Sequence, residues 1–156
     1  MSDNSPLDPL SKPEPLFKPE NYDIPSHFQH FPGDSAEDFL GPFFYYRDGK
    51  TLHTAFRLQP HHCNSSGITH GGLLMSFADY SLCLAALSNK IENVVTVNLN
   101  SDFLGPSNAG DLVLGQTEVS RQGKNLAFTR CQLMVNDKPI FNASAVVRLF
   151  RKQQKE

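Results

Sequence analysis

The feature that most constrains this chain is an apolar run, residues 73–87, whose single charged side chain is Asp79. A polar approach that contains several glycines, residues 61–72, leads into it. A carboxylate inside an apolar helix costs free energy unless it is paired, hydrogen-bonded or neutralised. Asp79 is therefore the first candidate for a chemical role. The alternative is a buried structural carboxylate that a neighbouring hydroxyl caps.

The apolar run predicts one long helix in the core. It should begin near His70 or Gly71 and end around residues 88–89, which is about five turns. Because the run is apolar on nearly every side, a core helix is favoured over a surface helix. Ser76, Asp79 and Tyr80 interrupt it, so a bilayer span and a membrane partner are not expected.

Strand patterns surround this helix. Residues 43–47 and 51–58 flank Asp48-Gly49, a strong hairpin signal. Four more strands are predicted after the helix, at residues 93–103, 111–121, 126–135 and 138–150. Strands grouped around a single helix indicate the α+β class, with one long central helix wrapped by a curved antiparallel sheet.

The N-terminal part has a different composition. Residues 1–42 contain eight of the eleven prolines and carry a net charge of −6 (eight acidic, two basic), whereas residues 43–156 carry +4 (eight acidic, twelve basic). We predict a proline-rich arm over 1–42, with about its first fifteen residues mobile and its aromatic part packed on a domain spanning 43–156. A short helical turn at Ser35–Leu40, capped by Ser35, is expected within it.

Charge and cysteine content limit the possible partners. The basic excess after residue 42 suits an anionic ligand, or is ordinary surface charge, and is too small to indicate nucleic acid. Three cysteines and no secretory signal indicate reduced thiols and a cytoplasmic location. No metal is expected at His61, His62 and Cys63, because adjacent strand residues point to opposite faces and the spacing matches no common zinc site.

Four residues have the chemistry of an acyl-transfer site. Gly71 lies near the helix start, where free backbone N–H groups could stabilise an oxyanion. Asp79 could act as a general base on water or as a nucleophile. Asn64 could orient the water or the leaving group. Thr96 adds a hydroxyl to this set, or is only an outward-facing strand residue.

The spacing of Gly71 and Asp79 has a further consequence. Eight residues on one helix are separated by about 12 Å of rise and roughly 80° of rotation. Because hydrogen-bond reach is only about 3 Å, both cannot contact one reacting centre from the same helix. If they cooperate, they belong to different subunits of a two-fold dimer.

The pattern Asn64-x2-Gly67-x2-His70-Gly71-Gly72-x6-Asp79 resembles the hotdog-fold acyl-CoA thioesterases, and most of all their phenylacetyl-CoA thioesterase branch. Thr96, residues 104–106 and 110–111, and the segment 121–128 extend the resemblance over about 43–150. It implies a hotdog homodimer, often paired into a homotetramer, that hydrolyses acyl-CoA without a cofactor. It places the catalytic carboxylate on Asp79, the oxyanion donor on Gly71 and the family asparagine on Asn64.

Substrate contacts and rival functions complete the expectations. His70 and Gly72 at the turn, Met75 on the helix, and Arg121 and Lys124 toward the CoA phosphates are the candidate binding residues. The rivals are a hotdog enoyl-CoA hydratase, which needs a histidine paired with an acid, and a non-catalytic acyl-CoA-binding module. An N-terminal arm that gates the pocket is a further possibility.

Overall fold

The computed structural model describes residues 17–151, which form one antiparallel sheet curved around one long helix. The strands are β1 (Gln29–His30), β2 (Phe44–Asp48), β3 (Thr51–Arg57), β4 (Ile91–Phe103), β5 (Leu112–Gln122), β6 (Leu126–Val135) and β7 (Lys138–Arg151). The helices are α1 (Ser35–Leu40) and α2 (Gly71–Ala86), with short 3-10 turns at Pro19–Tyr22 and Pro60–His62. The sheet order is β1-β2-β3-β5-β6-β7-β4. The α+β class, the central helix and the curved antiparallel sheet are confirmed.

Helix α2 is the core element. Most of its side chains are buried, and it packs against five strands, β3 to β7. It ends at Ala86, two residues before the predicted end, since Leu87 is already extended, and the Arg47 guanidinium donates hydrogen bonds to the carbonyl oxygens of Leu84 (2.5 Å) and Leu87 (3.2 Å). A cation at a helix C-terminus satisfies free carbonyls and complements the dipole. No helix within residues 17–151 has the length and apolarity needed to cross a membrane.

Both tight turns predicted between strands are present. Strands β2 and β3 pair up to Asp48 and Thr51, so the connection is Gly49-Lys50, one residue later than the hairpin signal implied. Gly49 has φ of +57°, a conformation that glycine adopts at low cost. Asn136 and Asp137 join β6 to β7 with φ of 49° and 62°. Two successive positive φ angles are typical of the turn that matches the twist of a hairpin.

Residues 17–42 contribute both to the sheet and to its covering. Ile24 and Phe28 are buried against Phe44 and Ala55, whose side chains form a second apolar cluster separate from the one around α2. Since successive strand residues point to opposite faces, this segment covers the sheet face that α2 does not. β1 then extends the sheet, a strand that the sequence pattern did not indicate. The expectation for the first fifteen residues lies outside the described part of the chain.

Helix α1 follows at the sheet edge and differs from prediction in its cap. The N-cap is Asp34, not Ser35: its Oδ1 accepts hydrogen bonds from the backbone N–H groups of Ala36 and Glu37, each at 3.1 Å. His30 Nε2 lies 2.5 Å from Asp38 Oδ1 and ties α1 to β1. The chain thus passes around the sheet edge and brings α1 to the side of α2.

Candidate active site

Asp79 and Thr96 meet at the middle of α2. Thr96 Oγ1 donates a hydrogen bond of 2.6 Å to Asp79 Oδ1. Thr96 lies where the register between β4 and β7 shifts, and the next residue, Val97, is left without a partner in β7. The hydroxyl contacts the carboxylate itself. The other carboxylate oxygen, Oδ2, receives no hydrogen bond from residues 17–151 and is open to water.

Cys83 is a third member of this group that sequence reasoning missed. Its Sγ lies 3.0 Å from Thr96 Oγ1 and 3.9 Å from Asp79 Oδ1. Burial, together with the charges of Asp79 and Glu37, raises the pKa of the thiol to about 11, although its hydrogen bond with Thr96 lowers that pKa. The thiol therefore stays protonated at neutral pH and acts as a weak donor, not as a nucleophile. Its spacing of four residues from Asp79 on a helix was the available signal.

These residues line a cleft of about 510 Å³ between α2, the start of β4 and the segment that leads into α1. Its apolar wall includes Tyr80, Leu84 and Leu87, and its acidic groups are Asp34, Glu37, Asp79 and Glu92. No histidine and no basic side chain of residues 17–151 lines it. The pairing of a histidine with an acid that a hydratase requires is therefore not built at Asp79 within one chain.

Glu37 is the second carboxyl group of this cleft that the sequence did not single out. Burial first, and then the negative charges of Asp34, Asp38 and Asp79, raise its pKa to about 8. At neutral pH, Glu37 is thus largely a neutral carboxylic acid beside Asp79. Only the fold reveals it, by placing it in the same cleft as Asp79, which is 42 residues away, because the local pattern around α1 shows just another acidic helix start.

The other candidate residues lie at the start of α2. Asn64 Oδ1 accepts hydrogen bonds from the N–H groups of Ser66 (2.9 Å) and Ile68 (3.2 Å), so this oxygen builds the turn and only the amide nitrogen is left for a ligand. His70 caps α2: its Nδ1 accepts from the Gly72 N–H at 3.2 Å. This is the behaviour of a hydrogen-bonding residue at the turn.

Gly71 occupies the first helical position, where the N–H has no intrahelical acceptor. A Cβ at this position would lie 2.8 Å from Cε1 of Phe103, so any larger residue here would have to displace the ring of that half-exposed side chain. Within one chain Gly71 and Asp79 remain at different turns of α2, as the helix geometry demands.

The predicted substrate contacts are distributed over separate surfaces. His70 and Gly72 line a cavity of about 570 Å³ with Leu73 and the exposed Phe39. Arg121 and Lys124 lie together along another groove, of about 530 Å³, at the β5–β6 turn. Met75 is partly exposed on α2 and lines neither of these cavities nor the cleft at Asp79. One chain alone does not gather these residues around Asp79.

Strand β4 forms an edge of the sheet within the described chain, and it exposes three large apolar side chains among its polar ones. Val95, Val97 and Phe103 are 51%, 62% and 56% exposed. An exposed, hydrophobic edge strand is a template for pairing with another strand. Among residues 17–151, no group of three or more histidine, cysteine or acidic side chains is arranged to hold a metal ion.

Comparisons with known proteins agree with this architecture. The family model described as Thioesterase superfamily matches residues 66–139. A Pseudomonas aeruginosa protein named "Putative esterase PA0474" is 35% identical over 130 residues, which are 81% of this chain and 97% of that protein. Human "Acyl-coenzyme A thioesterase 13" is 31% identical over 78 residues, 49% of this chain and 56% of the relative.

Among solved structures, the Escherichia coli PaaI protein from the phenylacetic acid degradation operon superposes with a TM-score of 0.70 at 22% identity, covering 76% of this chain and 86% of its own. A hypothetical thioesterase from Streptococcus pneumoniae, solved with coenzyme A, gives 0.66 at 15% identity, covering 72% and 88%. The resemblance found in the sequence is thereby confirmed, and the phenylacetate branch is represented among the structural matches. The long match to the Pseudomonas protein, the family model and the shared architecture together show that this chain belongs to the thioesterase superfamily and has its hotdog fold.

Proposed function

We propose that this protein is an acyl-CoA thioesterase that hydrolyses a thioester to a free carboxylic acid and CoA. Membership of the superfamily supports thioesterase activity in general. The acyl-CoA substrate is supported by two relatives: one is named as an acyl-CoA thioesterase, and the other was solved with coenzyme A. The observation that carries the proposal is the carboxylate of Asp79, held by Thr96 through one oxygen and open to water through the other.

In the proposed reaction, Asp79 accepts a proton from water as that water attacks the thioester carbon, or attacks the carbon itself. A half-buried carboxylate with one free oxygen has the geometry for either role. Thr96 orients the carboxylate by its 2.6 Å hydrogen bond. The developing oxyanion requires preorganised hydrogen-bond donors. The middle of α2, around Asp79, offers none from its backbone, because the N–H groups there are used within the helix.

The donor in this proposal is the Gly71 N–H of a second subunit, with Asn64 beside it. A two-fold dimer formed along the β4 edge would place the start of one α2 helix near the middle of the other. The exposed apolar side chains of β4 support that interface. A homodimer with two shared sites, itself paired into a homotetramer, is the assembly we propose.

The test is release of free thiol from a panel of acyl-CoAs, short-chain, long-chain and arylacetyl, with wild type and Asp79→Asn in parallel. We expect turnover by the wild type and a loss of about 10²–10⁴-fold in the variant, the range that general acid–base catalysis contributes. The variant must keep its circular dichroism spectrum and oligomeric mass. Turnover that survives the substitution would contradict the mechanism. Binding of acyl-CoA without turnover by the wild type would instead favour a non-catalytic module.

A further inference from the structure

Helix α1 carries one carboxyl group that lines the cleft and makes no side-chain hydrogen bond within residues 17–151, that of Glu37. Asp34 caps the helix and Asp38 pairs with His30, so both flanking carboxylates have structural partners. Glu37 lies between them and lines the same cleft as Asp79. A half-buried carboxyl group without a partner lowers stability. Its position therefore calls for a functional explanation.

Tyr80 provides an independent observation at the same place. Its side chain lines the cleft and is 6% exposed, and its hydroxyl has no hydrogen-bond partner among the described residues. Burial, and then Glu37 and Tyr45, hold the pKa of this phenol well above its ordinary value, so it keeps its proton. A buried hydroxyl normally finds a partner. The Tyr80 hydroxyl lacks one among the described residues, although its side chain lines the cleft that Glu37 also lines.

The acidic groups around Glu37 all favour its protonated form. Asp34 and Asp38 flank it on α1, and Asp79 faces it from α2. Glu37 in turn contributes to the raised pKa values of Cys83 and Tyr80 on α2, and Glu92 of β4 lines the same cleft. No basic side chain of residues 17–151 lines the cleft: the Arg47 guanidinium is bonded to the carbonyl oxygens of Leu84 and Leu87 at its rim, and His30 to Asp38. Glu37 therefore keeps its proton at neutral pH in the cleft that it shares with Asp79, and two carboxyl groups in unlike environments are typical of acid and base pairs in enzymes.

We propose that Glu37 is a further catalytic residue, the general acid that gives its proton to the departing thiolate sulfur. This inference rests on the proposed thioesterase function. Water adds its oxygen to the thioester carbon and transfers one proton to Asp79. The tetrahedral intermediate then breaks its carbon–sulfur bond, and the sulfur takes the proton of Glu37. Asp79 passes its new proton to Glu37, which restores both groups, and the carboxylic acid product releases its remaining proton to solvent.

The proton donor and its target are well matched. Model thiols have a pKa of about 8.5, and that of Glu37 is about 8. Catalytic proton transfer is effective when the donor can hold its proton at the working pH and yet lose it to the leaving group. A carboxylic acid of ordinary pKa would already be ionised at neutral pH.

The experiment compares two thioesters of the same acyl group, one of CoA and one of nitrothiophenol, whose thiolate departs without protonation. With Glu37→Gln, kcat/KM on the CoA ester should fall by roughly 10²-fold or more, while that on the aryl ester should change by less than about threefold. With Asp79→Asn, both substrates should lose turnover. Glu92→Gln is the matched control, since it removes a carboxylate at the cleft without removing the proton donor.

Two further readouts separate catalysis from structure. The wild-type rate on the CoA ester should decline above about pH 8 as Glu37 ionises, and this decline should be absent in Glu37→Gln. The variant should be no less stable than the wild type at pH 7, because it loses a buried carboxyl group that has no partner. Equal losses on both esters, or none on either, overturn the proposal. A wild type that hydrolyses neither ester overturns the proposed function itself, which is a different result.

Discussion

The two halves of α2 differ in what they offer to a reaction. The start of the helix, at Gly71, is partly exposed and presents a backbone N–H that lacks an intrahelical acceptor. The middle, at Asp79, is half-buried and presents carboxyl groups and a hydroxyl but no free backbone donor. One half can stabilise negative charge and the other can accept a proton. A helix of this length keeps the two apart, and the site proposed above therefore draws on two copies of it.

Mixing two inactive variants is the strongest test of this division. Asp79→Asn removes the base and Gly71→Pro removes the backbone donor, and each homodimer should be nearly inactive. In a mixed dimer with shared sites, one site carries both substitutions and the other carries neither. Random re-association makes about half of the dimers mixed, and each mixed dimer has one intact site of two. The mixture should therefore recover roughly a quarter of wild-type activity. If the activity of the mixture stays at the sum of the two variants, Gly71 and Asp79 do not form one site across two subunits.

The N–H of Gly71 can be removed with little change to the helix. Proline is well accepted at the first helical position, and His70 before it is already extended, at φ −63° and ψ 126°. Gly71→Pro should lose about 10²–10³-fold in kcat, the usual effect of one oxyanion donor.

Gly71→Ala is the matched control for this substitution. It adds the same Cβ against Phe103 but keeps the N–H. A loss in the alanine variant as large as in the proline variant would mean that crowding, rather than the donor, matters at this position.

The Thr96 hydroxyl is expected to have a smaller effect. Thr96→Val keeps the side-chain shape but removes the hydrogen bond to Asp79 Oδ1. Since a hydrogen bond to a charged group contributes about 1.5–3 kcal/mol, kcat should fall roughly 10- to 100-fold. Thr96→Ser, which keeps the hydroxyl, should remain near wild type. If valine is tolerated as well as serine, the carboxylate is oriented by other groups.

The smallest effect concerns stability at His62, outside the cleft. Burial, and then the charge of His61, lower the pKa of His62 to about 4 in the folded protein, against an ordinary value near 6.5. Between these values the unfolded chain binds more protons, so stability is present above about pH 6.5 and is lost as the pH falls toward 4. Thermal unfolding midpoints of the wild type should fall over this range by a few degrees.

His62→Gln should reduce this dependence, although it also changes the hydrogen bond that His62 Nδ1 accepts from the Gln59 N–H at 2.8 Å. The measurement is therefore the slope of the midpoint against pH and not its absolute value. An unchanged slope in the variant would assign the acid sensitivity to other groups.

Much of the fold could be predicted because its signals are local. The apolar run over residues 73–87, the alternation in β4 and the turn at Asn136-Asp137 each depend on neighbours in the sequence. Asp79 could be singled out because a lone carboxylate contradicts the pattern around it. The separation of Gly71 from Asp79 followed from helix geometry alone.

The contacts of the site could not be predicted in the same way. Glu37 lies 42 residues before Asp79, Thr96 lies 17 after it, and Arg47 caps α2 from 37 residues away. β1 was missed because two residues are too few to show a strand period. The Asp34 cap was missed because Ser35 is as good a cap by type.

The sequence by itself determined which residues form the helix and the strands, and which side chain is chemically out of place among them. Tertiary structure decided which groups surround that side chain: which hydroxyl bonds Asp79 and which acid lines the same cleft. It also decided which edge strand of the sheet is left without a partner in the described chain. The physical reason is range. Periodicity and turn chemistry act over a few residues, whereas desolvation and charge coupling depend on neighbours that only the folded chain brings together.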